Sequence, residues 1–178
     1  IDDLSVHAPR SYWKYSLSKA HLPALVQYRR VAFFDADTLI LRNPDAIFST
    51  ALPDPSWVGA APSVGHFTTE TFVLVWPNRT QADRLMERLM ASIQSGSNTG
   101  RHARDTPAYR DTFKSRFKAV GRHYSDTERD GRLLPHMEGF HYYGGYKPWL
   151  DAFRPFKYYL TLYLQFNTAY EAWWRTYL

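Results

Sequence analysis

The sequence predicts an α/β fold, and three features carry that prediction. A short apolar run without alternation, Val31-Ala32-Phe33-Phe34, reads as a strand covered on both faces and ends in acidic residues. After Asn78, the apolar residues Ala82, Leu85, Met86, Leu89, Met90 and Ile93 recur at three-and-four spacing and make one buried stripe of a helix. Further apolar runs alternate with helical stretches, the order expected where helices pack on a sheet.

Taken in order, Ser11 to Val26 reads as helical, with an interruption at Pro23. The strand at Val31–Phe34 is followed by Asp35-Ala36-Asp37, and Thr38-Leu39-Ile40-Leu41 resumes the apolar pattern. Asn43-Pro44 has the cap and first-turn proline of a helix start. Trp57–Ala61 and Thr71–Trp76 are strand candidates, and Asn78 caps a helix that runs through Gln94. The polar stretch Ser95–Arg104 reads as a loop, Asp105–Val120 as helical, and the charged Gly121–Arg132 as a mobile loop. Gly139–Tyr143 is a strand that Gly144-Gly145 breaks, and Tyr158–Leu178 forms an aromatic-rich C-terminal helix.

The 178 residues suit one domain, here 1–178. The net charge of +5 and pI near 9.4 favour anionic partners such as nucleotides. The basic residues are scattered and match no nucleic-acid module, so nucleic acid is not an expected partner. The absence of cysteine excludes disulfides and thiolate metal sites. No run reaches the ~18 apolar residues of a membrane span. The compartment stays open between cytoplasm and Golgi lumen, and the sequon Asn78-Arg79-Thr80 bears on it only in a secretory setting.

Asp35-Ala36-Asp37 is the most informative segment. Ligands of open α/β sheets bind beyond the carboxyl ends of the strands. Two carboxylates one residue apart there can share a hard cation, Mg or Mn, with the small Ala36 between them letting a ligand approach. A polar turn that happens to hold two acids is the bland alternative. The second informative segment is His141-Tyr142-Tyr143-Gly144-Gly145-Tyr146-Lys147-Pro148-Trp149. An imidazole can complete a site begun by two carboxylates. Gly144 allows backbone to approach a diphosphate, and Lys147 can set an ammonium against it. The bland alternative is a strand histidine, a glycine turn and a surface lysine.

Val31 to Phe48, together with Lys19 to Tyr28 and a His-x-x-Gly-x-x-Lys-Pro-Trp pattern at 141–149, resembles the glycogenin-like glycosyltransferases of family 8. That resemblance implies a GT-A fold, with a Rossmann-type mixed sheet flanked by helices. It further implies a divalent cofactor, Mn2+ or Mg2+, and transfer of a hexose from a UDP-sugar of the UDP-glucose or UDP-galactose type to an acceptor hydroxyl with retention. Carried over, Asp35, Asp37 and His141 hold the metal, and Asp37 and Lys147 serve catalysis. Lys19, Asp35, Ala36, Asp37, Asp105, Gly144 and Lys147 contact the donor. From the residues alone, Lys19 reads as a solvated helix charge and Asp105 as a cap before Pro107.

The match is uneven. Where the family reads Phe-Asn-x-Gly, this chain has Phe67-Thr68-Thr69-Glu70, so Thr68 replaces the asparagine that usually binds the sugar and the bulkier, charged Glu70 replaces the glycine. Family members open with a strand-helix-strand unit that cradles uridine, and about ten residues precede the Lys19 segment here. The expectation is therefore an incomplete domain and a poor catalyst as an isolated chain. Two rivals remain: a non-catalytic or fragmentary relative, and a haloacid dehalogenase-like phosphatase with Asp35 as nucleophile. The phosphatase requires a downstream Gly-Asp-x-x-x-Asp motif, which the sequence does not contain. The transferase reading requires folding to bring His141 alongside Asp35 and Asp37.

Overall fold

The structure is a computed structural model that describes residues 16–95, 105–126, 132–142, 147–151 and 167–177. These fall into two compact units that the chain visits alternately. The first comprises residues up to Phe33 and Ile47–Val120; the second comprises Phe34–Ala46 and the residues from Gly121 onward.

The first unit holds a four-stranded sheet in the order β1-β4-β3-β5, with β1 at Val31–Phe34, β3 at Val58–Ser63, β4 at His66–Val75 and β5 at Phe117–Ala119. The sheet is mixed: β3 runs antiparallel to β4 and parallel to β5. The predicted strands at 57–61 and 71–76 are both present and longer than expected. They join through a tight hairpin at Val64-Gly65, where Gly65 takes φ +68, a conformation a glycine adopts without strain. Helix α1 spans Arg79–Gln94 as predicted, and the Asn78 side chain caps it by accepting from the Gln81 amide at 3.2 Å. Its stripe is buried at Ala82, Leu85 and Leu89, while Met86, Met90 and Ile93 lie half-buried against the same core.

Four expectations for the chain as far as Val120 are corrected. The predicted helix at 11–26 is, over the described residues, a 3-10 segment at Ser16–Ala24. Pro23 within it lacks an amide hydrogen, which weakens a regular α ladder there. β1 is half-buried along its length because it lies at the edge of the sheet. The helix start at Asn43-Pro44 yields only a short 3-10 turn at Asp45–Ser49, although Asn43 does accept from the Asp45 amide. The predicted helix at 105–120 stops early: α2 spans Asp105–Phe113, and Lys114 then adopts φ 50, the left-handed state that ends helices. The chain turns there into β5, whose residues complete the sheet beside β3.

The core of this unit joins Leu17, Ala20 and Leu22 to Val58, Phe67, Val73, Leu85, Leu89, Tyr109 and Phe113. α1 packs against the 3-10 segment and α2, and α2 packs against β4.

The second unit is built on a two-stranded antiparallel ribbon, β2 at Thr38–Ile40 and β6 at Gly139–His141. Gly121–Arg132, expected as a mobile loop, contains a 3-10 turn at Arg122–Tyr124 and a bridge from Asp126 to Phe140; residues 127–131 lie outside the described residues. Among the described residues two further helices follow, α3 at Pro148–Asp151 and α4 at Asn167–Tyr177. α4 matches the later part of the predicted C-terminal helix; its start at 158–166 lies outside the described residues. Met137, Phe140, Tyr142 and Ala169 form this unit's core, with Leu39, Leu41, Trp149 and Trp173 packed against it. No helix among the described residues is long and apolar enough to cross a membrane.

Candidate metal centre

The site in the second unit is set by the β2–β6 ribbon. Its register places Thr38 opposite His141, and the ladder extends one step as the Tyr142 amide donates to the Asp37 carbonyl at 2.9 Å. Before β2 the chain turns tightly, the Thr38 amide donating to the Asp35 carbonyl at 2.9 Å. This turn brings Asp35 and Asp37 to the end of the ribbon with Ala36 exposed between them. His141 is fixed from its other side, its amide donating to the Asp126 carbonyl at 2.8 Å. Alternation along the strand sends Phe140 and Tyr142 to the opposite face. There their rings meet edge-on at 5.0 Å, and the Tyr142 hydroxyl donates to the Ala169 carbonyl of α4 at 2.6 Å. Burial raises the Tyr142 phenol well above its ordinary range, so it stays a neutral donor.

His141 Nε2 lies 3.0 Å from Asp37 Oδ1 and 3.9 Å from Asp35 Oδ2. One ligand atom from each of the three residues can be chosen so that all lie within 4.8 Å of one another. An octahedral ion with ligands at about 2.1 Å sets neighbouring donor atoms about 3 Å apart and opposite ones about 4.2 Å apart. The two His141–carboxylate separations fall in that range, and two carboxylate oxygens with one imidazole nitrogen are a donor set for a hard to borderline divalent cation. The residues therefore fit Mn2+ or Mg2+.

Lys147 completes the cluster. Its ammonium donates to Asp37 Oδ2 and to the Tyr142 carbonyl, the latter at 2.8 Å. Burial works to raise the Asp37 pKa, but hydrogen bonds from His141 and Lys147 outweigh it and hold the carboxyl well below the usual range. Asp37 is thus an anion across the physiological range. Sequence reasoning missed two supports of Lys147: the Tyr142 carbonyl and the Trp149 ring, whose centroid is 5.6 Å from Nζ. Trp149 stood in the quoted motif, so the signal was present but unused. Gly144, the remaining donor-site candidate of this segment, lies outside the described residues.

Lys19 and Asp105 meet in the first unit, and neither matches its residue-level reading. Lys19 is 4% exposed rather than solvated, and Nζ donates to the Thr69 carbonyl at 2.8 Å. Asp105 is the first residue of α2, and its buried carboxylate accepts the Thr69 hydroxyl at 2.5 Å and lies 3.8 Å from Lys19 Nζ. Burial raises the Asp105 pKa, with Lys19 and the Thr69 hydroxyl opposing. Tyr109 closes the group by donating to the Lys19 carbonyl at 2.8 Å. Thr69 reaches this position because β4 loses its pairing with β3 there. The register jumps from Ala60↔Val73 to Ala61↔Thr68, leaving the intervening β4 residues out of the ladder with β3. Nothing in the sequence marked Thr69 for that role.

No family model matches the chain. Glycogenin-1 of Caenorhabditis elegans is 31% identical over 144 residues, which cover 75% of this chain and 32% of that protein. Glycogenin-1 of Oryctolagus cuniculus is 46% identical over 46 residues, 24% of this chain and 14% of that protein. The chain thus spans a third or less of these curated relatives. Among solved structures, the galactosyltransferase LgtC in complex with donor and acceptor sugar analogs superposes with a TM-score of 0.62 at 13% identity, covering 76% of this chain and 60% of that one. That likeness shows the fold: a mixed sheet with helices, of the GT-A type. With the glycogenin matches it gives no support to the phosphatase alternative. The chain is similar in sequence to the glycogenin-like glycosyltransferases of family 8 and carries the GT-A fold.

Proposed function

We propose that the protein is a metal-dependent glycosyltransferase that moves a hexose from a UDP-sugar to an acceptor hydroxyl with retention. The observation that carries this reading is the convergence of Asp35, Asp37 and His141, with Lys147 bonded to Asp37. Asp35, Asp37 and His141 would hold Mn2+ or Mg2+, which when bound supplies positive charge to the donor diphosphate. Ala36 leaves room between the acids for the donor to approach. The Lys147 ammonium binds the leaving phosphates and stabilises the charge they gain as the bond to the sugar breaks. The acceptor oxygen takes the place of the phosphate oxygen on the same face, and its proton leaves with the diphosphate. The site thus works by positioning and charge, with no covalent nucleophile assigned. Lys19, Asp105 and Gly144 enter this reading as donor contacts on the strength of the family resemblance. The acceptor, a carbohydrate or a protein, is left open.

The test is Mn-dependent binding of UDP by the whole chain, measured by calorimetry, beside the Asp37→Ala variant. UDP affinity should require Mn and should be lost on that substitution. Metal-dependent affinity that survives within a few-fold would remove the basis of the assignment. UDP-glucose and UDP-galactose, offered with and without Mn, then identify the donor by sugar release or transfer.

A further inference from the structure

Lys147 rests on the same carboxylate that the ion requires. Asp37 divides its two oxygens, Oδ1 facing His141 Nε2 at 3.0 Å and Oδ2 accepting from the Lys147 ammonium. The ammonium is held by more than that ion pair, since it also donates to the Tyr142 carbonyl at 2.8 Å and lies over the Trp149 ring. The ring is fixed in turn by an edge contact to Tyr142 at 5.8 Å and a tilted contact to Trp173 at 6.0 Å. Lys147 is therefore held beside the acid pair by the core of its own unit. A carboxylate already paired with an ammonium is a weaker ligand for a dication, and the ammonium also repels the dication directly.

We infer that Lys147 couples the two ligands of the site: resting on Asp37 it weakens the binding of a divalent ion alone, and a diphosphate that draws the ammonium onto its own oxygens strengthens that binding. This rests on reading Asp35, Asp37 and His141 as a divalent-ion site. The coupling is reciprocal, so the ion raises nucleotide affinity by the same factor by which the nucleotide raises ion affinity. Ion and nucleotide-sugar then load together, and the ion's grip loosens when the nucleoside diphosphate departs. One unit charge roughly 4 Å from an ion at a partly exposed site shifts ion affinity by about tenfold or more.

The experiment titrates Mn2+ into the whole chain, alone and at saturating UDP, reading bound ion by electron paramagnetic resonance. The wild type should bind Mn2+ weakly alone and about tenfold or more tightly with UDP. Lys147→Met should bind Mn2+ alone roughly tenfold more tightly than the wild type, and UDP, which attracts the ion directly, should add less than it does in the wild type. Lys147→Arg keeps the charge and should track the wild type within a few-fold. Circular dichroism confirms that each variant is folded. Tighter ion binding by Lys147→Met with a diminished UDP effect supports the coupling. Ion affinity in that variant equal to or below the wild type overturns it, as does a UDP effect that is absent in the wild type or undiminished in the variant. Asp37→Ala separates the two levels. If it loses Mn2+ while Lys147→Met behaves as wild type, only the coupling falls. If it binds Mn2+ as the wild type does, the ion-site reading falls, and the coupling with it.

Discussion

Replacing Lys19 with Met tests whether the buried pair of the first unit is a matched pair. Lys19 and Asp105 are each 4% exposed. Met fills much the same volume but leaves the Asp105 carboxylate with the Thr69 hydroxyl and no cation. Removing one partner of a buried ion pair typically costs about 3–5 kcal/mol, a large share of an ordinary domain's stability. The cost depends on pH in a defined direction. Burial already raises the Asp105 pKa above 3.8, and Lys19 opposes that rise. Without Lys19 the folded-state pKa climbs further, so the folded variant holds a proton that the unfolded chain has released. A group with this sign contributes stability that falls as pH rises through the window between its unfolded and folded values. The deficit of Lys19→Met should therefore be largest near neutrality and shrink on acidification toward about pH 5. Urea denaturation followed by circular dichroism at the two pH values measures both the size and the slope. The double variant Lys19→Met, Asp105→Leu should recover most of the loss, since removing both charges leaves none buried alone. A single-variant deficit below about 1 kcal/mol, or one that does not change with pH, would refute this account of the pair.

Two further substitutions probe the scaffold. Gly139→Ala places a Cβ 2.2 Å from the Tyr124 carbonyl oxygen, a backbone atom that cannot swing aside, and 3.4 Å from the Thr38 methyl. The β2–β6 ribbon must shift, with a loss of about 1–3 kcal/mol and a fall in Mn2+ affinity, because the register that sets His141 opposite Thr38 is disturbed. Melting and ion titration together check this; unchanged ion affinity would show that the ribbon does not set the site. Asn78→Ala removes the α1 cap and should cost about 1 kcal/mol in a melt, in protein made without glycosylation machinery.

Much of this molecule was legible where a signal is local. The spacing from Ala82 to Ile93 and the cap at Asn78 specify α1 because helix periodicity and capping act within a few residues. The Asp35-Ala36-Asp37 segment was legible by its place after an apolar strand, and His141 and Lys147 by their spacing around a glycine turn. Failures came where distant pairing decides. Residues 114–120 carry helix-compatible side chains, yet Phe117–Ala119 completes a sheet edge beside β3, which no window of that length can reveal. Lys19 looked solvated because its partners lie 50 and more residues away, at Thr69 and Asp105. Asp126 looked like part of a mobile loop because its bridge to Phe140 depends on the fold of the second unit.

The chain's alternation between its two units carries a consequence for how the protein is made. A segment of a dozen or so residues, Phe34–Ala46, leaves for the second unit and waits there while the whole of Ile47–Val120 is synthesised. Asp37 leaves the ribosome 110 positions ahead of the lysine it pairs with, and nearly as far ahead of its imidazole neighbour. At elongation rates of about 5–20 residues per second, the acids spend several seconds outside without their partners. A nascent chain in that interval has the two carboxylates without His141, a pair with weak hold on a transition metal. If the site holds an ion as proposed, its three-residue ligand set is complete only once translation has passed His141.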